Sequence, residues 1–187
     1  LGQLKKPSGR GDAEQQPSGG RTGGSPPLAI DFGVSALKIL QVSGGDVPAL
    51  VGAAQVRTPE ELLTEPAKRL KFQIEQLPKL LKKGKFKTKR AVALLPVGQT
   101  YCKHLQLVRA EGVPLDAIIQ ATLPDQLGCA ADEVLIRHID VGDVGRGGKS
   151  EVICFAASRQ LVTRVMTAMK ACGLTPVGVH TEFHALA

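Results

Sequence analysis

Apolar and polar positions alternate most regularly over residues 28–42. Leu28, Ile30 and Phe32 alternate with Ala29 and Asp31, and after Gly33 a second run carries Leu37, Ile39, Leu40 and Val42, with Lys38 and Gln41 as its polar members. Long aliphatic and β-branched side chains fit a pleated, half-buried surface, so the pattern predicts two strands joined by a tight turn. Gly33 supplies the backbone freedom that turn needs. Gly44-Gly45-Asp46 predicts a further turn and residues 48–57 a third strand, completing a β-meander.

The period then changes from two to nearly four. Pro59-Glu60-Glu61 suits a helix start, and the main helix is expected from Pro66. Leu70, Ile74, Leu77 and Leu81 form one apolar stripe facing the sheet, Pro78 is expected to kink or divide the helix, and Gly84 to end it. Residues 91–97 read as an apolar strand and 100–108 as its alternating neighbour. Pro114 opens a helix with Leu115, Ile118, Ile119, Leu123 and Leu127 along one side, interrupted near its end by Pro124. A strand over 133–141 and a glycine-rich loop over 142–150 follow. The last unit is a strand–helix–strand crossover over 152–180, stopped between helix and strand by Cys172-Gly173 and expected to pack on the sheet of the meander. Leu161, Val162, Val165, Met169 and Cys172 are the buried side of its helix, and Thr181 is placed to cap a further helix through 182–187.

With 187 residues the chain can bury a substantial core, as one large domain or two small ones. No run approaches the ~18 apolar residues of a membrane span, and the amino end is too polar for a secretory signal. The chain opens with Leu1, so its true start is expected to be missing. Residues 1–27 are rich in Gly, Pro, Ser and Gln, bury too little to offset their ordering entropy, and are read as a disordered tail; Arg10-Gly11-Asp12 within it is a chance tripeptide.

Charge changes the picture at one place. The net +7 is local: residues 68–90 hold ten Lys or Arg against the single acid Glu75, a net of +9, while residues 1–27 carry +2 and the remainder −4. Within it, Lys79, Lys82, Lys83, Lys85, Lys87, Lys89 and Arg90 crowd twelve residues with no acid. Such a run is either a solvated helix end or a site for an anionic partner, lipid headgroups or nucleic acid. Only Phe86 is interleaved, which leaves base stacking little to work with.

Chemistry-bearing motifs are few. Cys102, Cys129, Cys154 and Cys172 are widely spaced with no C-x-x-C pair, which predicts buried reduced thiols in place of a disulfide or zinc framework. His180 and His184 stand four apart, a ligand spacing on a helix, but no partner ligand is evident. Gly148-Lys149-Ser150 echoes a phosphate-binding loop, but Asp143 stands where its first glycine must be and a strand follows, so it is read as a hairpin turn. Asp31-Phe32-Gly33 echoes a kinase metal motif without the matching catalytic loop. A hairpin such as 28–42 can still offer backbone N–H groups and a cation to a phosphate while its carboxylate faces a hydrated metal.

Several pieces in order resemble the amino-terminal half of the actin-like ATPases, most closely the PilM family of type IV pilus assembly proteins, which is related to FtsA. They are Ile30-Asp31-Phe32-Gly33 with Lys38, Ala91-Val92-Ala93-Leu94-Leu95-Pro96, the helix from Pro114 to Leu127 leading into Asp132-Glu133-Val134, and Ala171-Cys172-Gly173-Leu174-Thr175-Pro176 leading to Glu182-Phe183-His184-Ala185-Leu186. The resemblance implies an α/β, ribonuclease H-like fold: subdomain 1A over 28–86 and 144–187, ending in the start of a connecting helix. A small α+β subdomain 1C is inserted at 87–143, and the second actin-like domain is absent. It also implies ATP and Mg²⁺, bound only with that missing domain. Asp31 would lie near the waters of the magnesium, Gly33 and Ser35 would give backbone contacts, Lys38 would approach a phosphate, and Glu182 would orient water or metal as a catalytic residue. Val34 and Ala36 stand where the family usually carries serines, and His180 where it tends to carry an acid; both departures weaken hydrolysis.

The resemblance further implies a cytoplasmic platform component at the inner membrane face, holding an amino-terminal peptide of a PilN-like membrane partner near 1A and 1C, alongside pilus motor or platform proteins. Two other readings compete with it. One is a non-hydrolysing actin-like scaffold of a type II secretion system. The other is an anion-binding module working through residues 79–90.

Overall fold

The structure, a computed structural model, describes residues 25–144 and 149–185. The tail over 1–24, with its Arg10-Gly11-Asp12, lies outside the described residues, as do 145–148 of the glycine-rich loop. From Ser25 onward the chain folds as two β-sheets, each with helices on one face.

The first sheet begins with the meander. β1 (Leu28–Phe32), β2 (Ala36–Val42) and β3 (Leu50–Arg57) pair antiparallel in sequence order, with Asp31 directly opposite Lys38 and Ala36 opposite Arg57. A short 3-10 turn over 60–62 leads into α1 (Pro66–Lys83). β4 (Arg90–Leu95) then pairs parallel with β1, and β8 (Thr175–Thr181) parallel with β4, so the order is β3-β2-β1-β4-β8. The second sheet holds β5 (Thr100–Val108), β6 (Val134–Val144) and β7 (Lys149–Ser158) in the antiparallel order β5-β7-β6, with α2 (Leu115–Leu127) between β5 and β6 in the chain. α3 (Arg159–Ala171) carries the chain from β7 back to β8, and a single turn, α4 (Glu182–Ala185), ends the described chain.

Burial follows strand alternation. Leu28, Ile30 and Phe32 of β1, Leu37 and Ile39 of β2 and Ala91, Ala93 and Leu95 of β4 all enter one core with Leu70, Leu77 and Leu80 of α1 and Val165 and Met169 of α3. Both helices therefore cover the same face of the large sheet. The other face carries Asp31, Lys38, Leu94 and His180, which are half-buried or exposed; Asp31, Leu94 and His180 are in register across β1, β4 and β8. In the small sheet, Val134, Ile136, Val152, Cys154 and Ala156 pack under Ile119 and Leu123 of α2 as a separate core.

Several of the expected pairings and helix features change. Residues 100–108 are not the neighbour of 91–97: β4 is parallel to β1 and β8, and β5 pairs with β7. The strand expected on the meander's sheet at 152–157 lies instead in the small sheet, where its alternation buries Val152, Cys154 and Ala156 against α2. The expected insertion 87–143 therefore does not coincide with one sheet, because β4 within it is central to the large sheet and β7 beyond it is central to the small one. The two prolines do not break their helices. α1 runs through Pro78, which sits on the solvent face where the freed carbonyl one turn earlier can meet water, and α2 runs through the buried Pro124 to end at Gly128 with φ 66°. The buried stripe of α1 is wider than expected: Leu70 and Leu77 are buried as expected, Gln73 and Leu80 join them, and Ile74 and Leu81 are half-buried against the same core.

Candidate functional site

The hairpin between β1 and β2 brings three of the expected side chains and a turn together. Lys38 Nζ donates to Asp31 Oδ2 at 3.1 Å across the directly opposed pair, with Lys38 about half and Asp31 about a third exposed. Gly33 is needed for space: a Cβ there would stand 3.2 Å from the carbonyl of Ala36 and 3.3 Å from both carboxylate oxygens of Asp31. The region in front of that carboxylate is thus kept clear by the glycine. Ser35 is exposed at the turn, and its carbonyl accepts the N–H of Thr58 at 2.9 Å, tying the turn to the end of β3. Ala36 is buried and Val34 exposed, so of the two positions lacking a serine only 34 presents its side chain at the surface.

One residue that fixes this turn is not apparent as a site residue in the sequence. The amide of Gln73, buried in α1, donates to the carbonyl of Gly33 at 2.7 Å across forty positions of chain. A buried carbonyl without a donor costs about 1–3 kcal/mol, so Gln73 dictates where the turn sits against the helix. Its one visible signal is a polar residue three positions after Leu70, on the apolar face.

Glu182 is exposed and opens α4 directly after β8. It therefore lies at the same end of the large sheet as Gly33, but β8 is two strand spacings from β1, roughly 10 Å away. The expected carboxylate and the hairpin share an end of the sheet, two strands apart. His180 lies over Gly178, where a Cβ would approach its Nε2 to 2.9 Å. The side chain of His184 is outside those described, and among the described residues no cluster of His, Cys, Asp and Glu is grouped to hold a metal.

The second concave feature lies between the sheets. Leu135 and Arg137 of β6 stand opposite Ala157 and Phe155 of β7, on the face of the small sheet away from α2. Facing them are Val162 and Met166 of α3 and the run from Pro176 to Thr181 of β8, and together they enclose a cavity of about 610 Å³. The lining is mostly apolar. Its polar members are Arg137, His138, His180 and Thr181, none of them acidic. His138 Nδ1 is 3.1 Å from Asp116 Oδ1 of α2, so its ring is held toward the α2 side of the small sheet. β6 and β8 are both edge strands of their sheets, so this cavity is bounded by two edges. A more polar cavity of about 1010 Å³ on the other side of α3 is lined by Gln99, Tyr101, Glu133, Arg159 and Arg164 among others.

The thiols are distributed differently from the expected buried set. Cys102 is exposed, Cys129 and Cys172 are half-buried and only Cys154 is fully buried; all four are free. Burial pushes the Cys154 and Cys172 thiols above their ordinary value, with Cys102 adding to the shift at Cys154. The Lys149-Ser150 pair belongs to β7, not to a phosphate loop, and the buried Ser150 hydroxyl donates to Asp143 at 2.6 Å.

No protein-family model and no curated protein sequence matches the chain. Solved structures do. The PilM–PilN type IV pilus biogenesis complex is similar with a TM-score of 0.65 and 25% identity, over 85% of this chain and 48% of that one. The cytoplasmic domain of EpsL, an inner membrane component of the type II secretion system of Vibrio cholerae, is similar with a TM-score of 0.58 and 13% identity, over 82% of this chain and 56% of that one. The chain thus has the mixed α/β fold of these actin-like proteins and spans about half the length of each. Among the described residues no helix is long and apolar enough to cross a membrane.

Proposed function

We propose that this chain is half of a PilM-like platform protein for type IV pilus assembly, and that it holds an extended peptide of a PilN-like inner-membrane partner in the cavity between the two sheets. The observation that carries the reading is that cavity: an apolar trough bounded by the edge strands β6 and β8 and floored by α3. Edge strands have backbone N–H and C=O groups to offer an extended segment, and apolar lining gives its side chains a place to go. The similarity to a solved PilM–PilN complex supports the choice of partner. Such a protein works in the cytoplasm at the inner membrane face.

Nucleotide binding belongs to the same proposal and needs the second half. The residues present fit the group, because Asp31 and Lys38 are held as a pair in front of a glycine-cleared space. Lys38 would meet a phosphate oxygen, Asp31 would hold Mg²⁺ through water, and Gly33 and Ser35 would line the turn. Magnesium bound there supplies charge neutralisation of the phosphates. Glu182, at the same edge, is the proposed group for orienting water.

Isothermal titration of a synthetic PilN-like amino-terminal peptide into the chain tests the first part. Binding weakened about tenfold or more by Met166→Glu or Val177→Glu, both half-buried or exposed lining positions, supports it. Binding that ignores both substitutions moves the peptide elsewhere. Titrating ATP into the protein extended by its second domain, with and without Mg²⁺, tests the rest. The scaffold reading, that of a secretion-system component without nucleotide, predicts no heat there and peptide affinity unchanged in Lys38→Ala.

A further inference from the structure

The ends of the large sheet differ in charge. The hairpin turn at Gly33 follows the carboxyl end of β1, whereas the lysine-rich run lies at the amino end of β1, where Leu28 pairs with Ala91 and Arg90 with Thr175. Lys79, Lys82, Lys83, Lys85, Lys87, Lys89 and Arg90 are all exposed, and none of them is ion-paired among the described residues. Lys170, in the last turn of α3, joins them beside the N–H of Thr175, which donates to the carbonyl of Lys89 at 2.7 Å.

This run is held in a fixed path. The buried side chain of Gln41 accepts the backbone N–H of Lys87 at 2.8 Å and donates to Ser25 Oγ at 3.1 Å. The backbone at Gly52 lies so close to the next segment that a Cβ there would come within 2.6 Å of the carbonyl of Gly84 and 3.2 Å of the Phe86 ring. Phe86 is consequently packed against the large core and is not available to stack on a base.

The same end presents apolar side chains. Val42 opposite Leu50 closes the turn over 43–49, which is tied by the N–H of Ser43 to the carbonyl of Ala49 at 2.8 Å. Val47 in that turn is 83% exposed and Leu50 is 67% exposed. The acid of the turn, Asp46, already has a partner.

We infer that this end of the sheet is a docking surface for an anionic phospholipid membrane, with the lysines meeting headgroup phosphates and Val47 and Leu50 entering the interface. Cations with neighbouring exposed aliphatics suit a lipid interface, which takes both; a nucleic acid offers the aliphatics nothing and, among the described residues of this lysine-rich run, finds no exposed ring. The surface leaves the Gly33 hairpin at the opposite end of the sheet. The inference goes beyond the peptide reading and does not depend on it.

Flotation of the chain with phosphatidylcholine vesicles, with and without phosphatidylglycerol, tests it. Binding is expected only with the anionic lipid, falling steeply as salt rises. Replacing Lys82, Lys83, Lys85 and Lys87 together by Gln is expected to weaken it by about six hundred-fold, at about five-fold per lysine. The matching Lys→Arg variant should retain binding, and Val47→Ser with Leu50→Ser should weaken it at constant charge. Unchanged circular dichroism of each variant confirms folding. No binding to anionic vesicles, binding indifferent to the Gln replacements, or duplex DNA bound more tightly than vesicles and unaffected by the serine replacements would overturn the inference.

Discussion

The two sheets of this molecule solve the problem of loop placement in different ways. In the five-stranded sheet, buried side-chain amides reach across the chain to hold turns: Gln73 holds the carbonyl of Gly33, and Gln41 holds Lys87 and Ser25. In the three-stranded sheet, where β7 pairs antiparallel with β5 on one side and β6 on the other, the comparable reach is made by a partly exposed charged side chain: Arg109, just past β5, donates to Asp140 and to Ser150, and Ser150 donates to Asp143. Helices cover one face of each. The difference teaches how position is fixed: the sheet carrying the charged hairpin has its turn backbone held by buried amides, while the small sheet uses a partly exposed ion-pair cluster and leaves one face to line the cavity beside α3.

The comparison can be broken at its strongest point first. Leu77 is fully buried between α1 and the large sheet, and Leu77→Ala is expected to cost about 2–5 kcal/mol in urea or thermal unfolding. Gln73→Leu comes next, at about 1–3 kcal/mol, because it leaves the Gly33 carbonyl without its donor. If the turn is held from a distance, hydrogen exchange over 31–38 accelerates in Gln73→Leu while exchange in β6 and β7 does not change. Equal acceleration in both sheets would erase the distinction. Arg109→Ala removes a partly exposed ion pair and is expected to cost about 1 kcal/mol or less, with its effect confined to the small sheet.

The smallest expected effect is with pH. Burial holds the Cys154 and Cys172 thiols above their unfolded values, so the folded chain keeps protons that the unfolded chain releases. That contribution is fully present below the unfolded thiol pKa of about 8.5 and is lost as pH rises through the folded values. Unfolding midpoints measured across that range should fall with rising pH, and less so in Cys154→Ala.

The strands and helices were largely legible because their apolar periods were strong: the β1–β2 hairpin, α2 and α3 are where alternation and stripe place them. Sheet membership was not. Residues 100–108 follow 91–97 closely, and nothing in either pattern says that one strand runs parallel to β1 while the other leaves for a second sheet. The hairpin pair Asp31–Lys38 was readable because the two charged residues of an otherwise uncharged run had to face away from the core, whereas the uncharged Gln41 is buried. Gln73 and Gln41 were not readable as anchors, since a hydrogen bond spanning forty residues of chain leaves no local trace. The cavity between the sheets escaped for the same reason, being made by elements that meet only after the topology is set.

The trough between β6 and β8 is the proposed working surface. Amide hydrogen exchange of the chain, with and without a saturating PilN-like amino-terminal peptide, tests this most directly. Protection is predicted over residues 135–138 and 175–181, with residues 28–42 unaffected. Protection confined to the hairpin or to the lysine-rich run, with no change along β6 and β8, would contradict it.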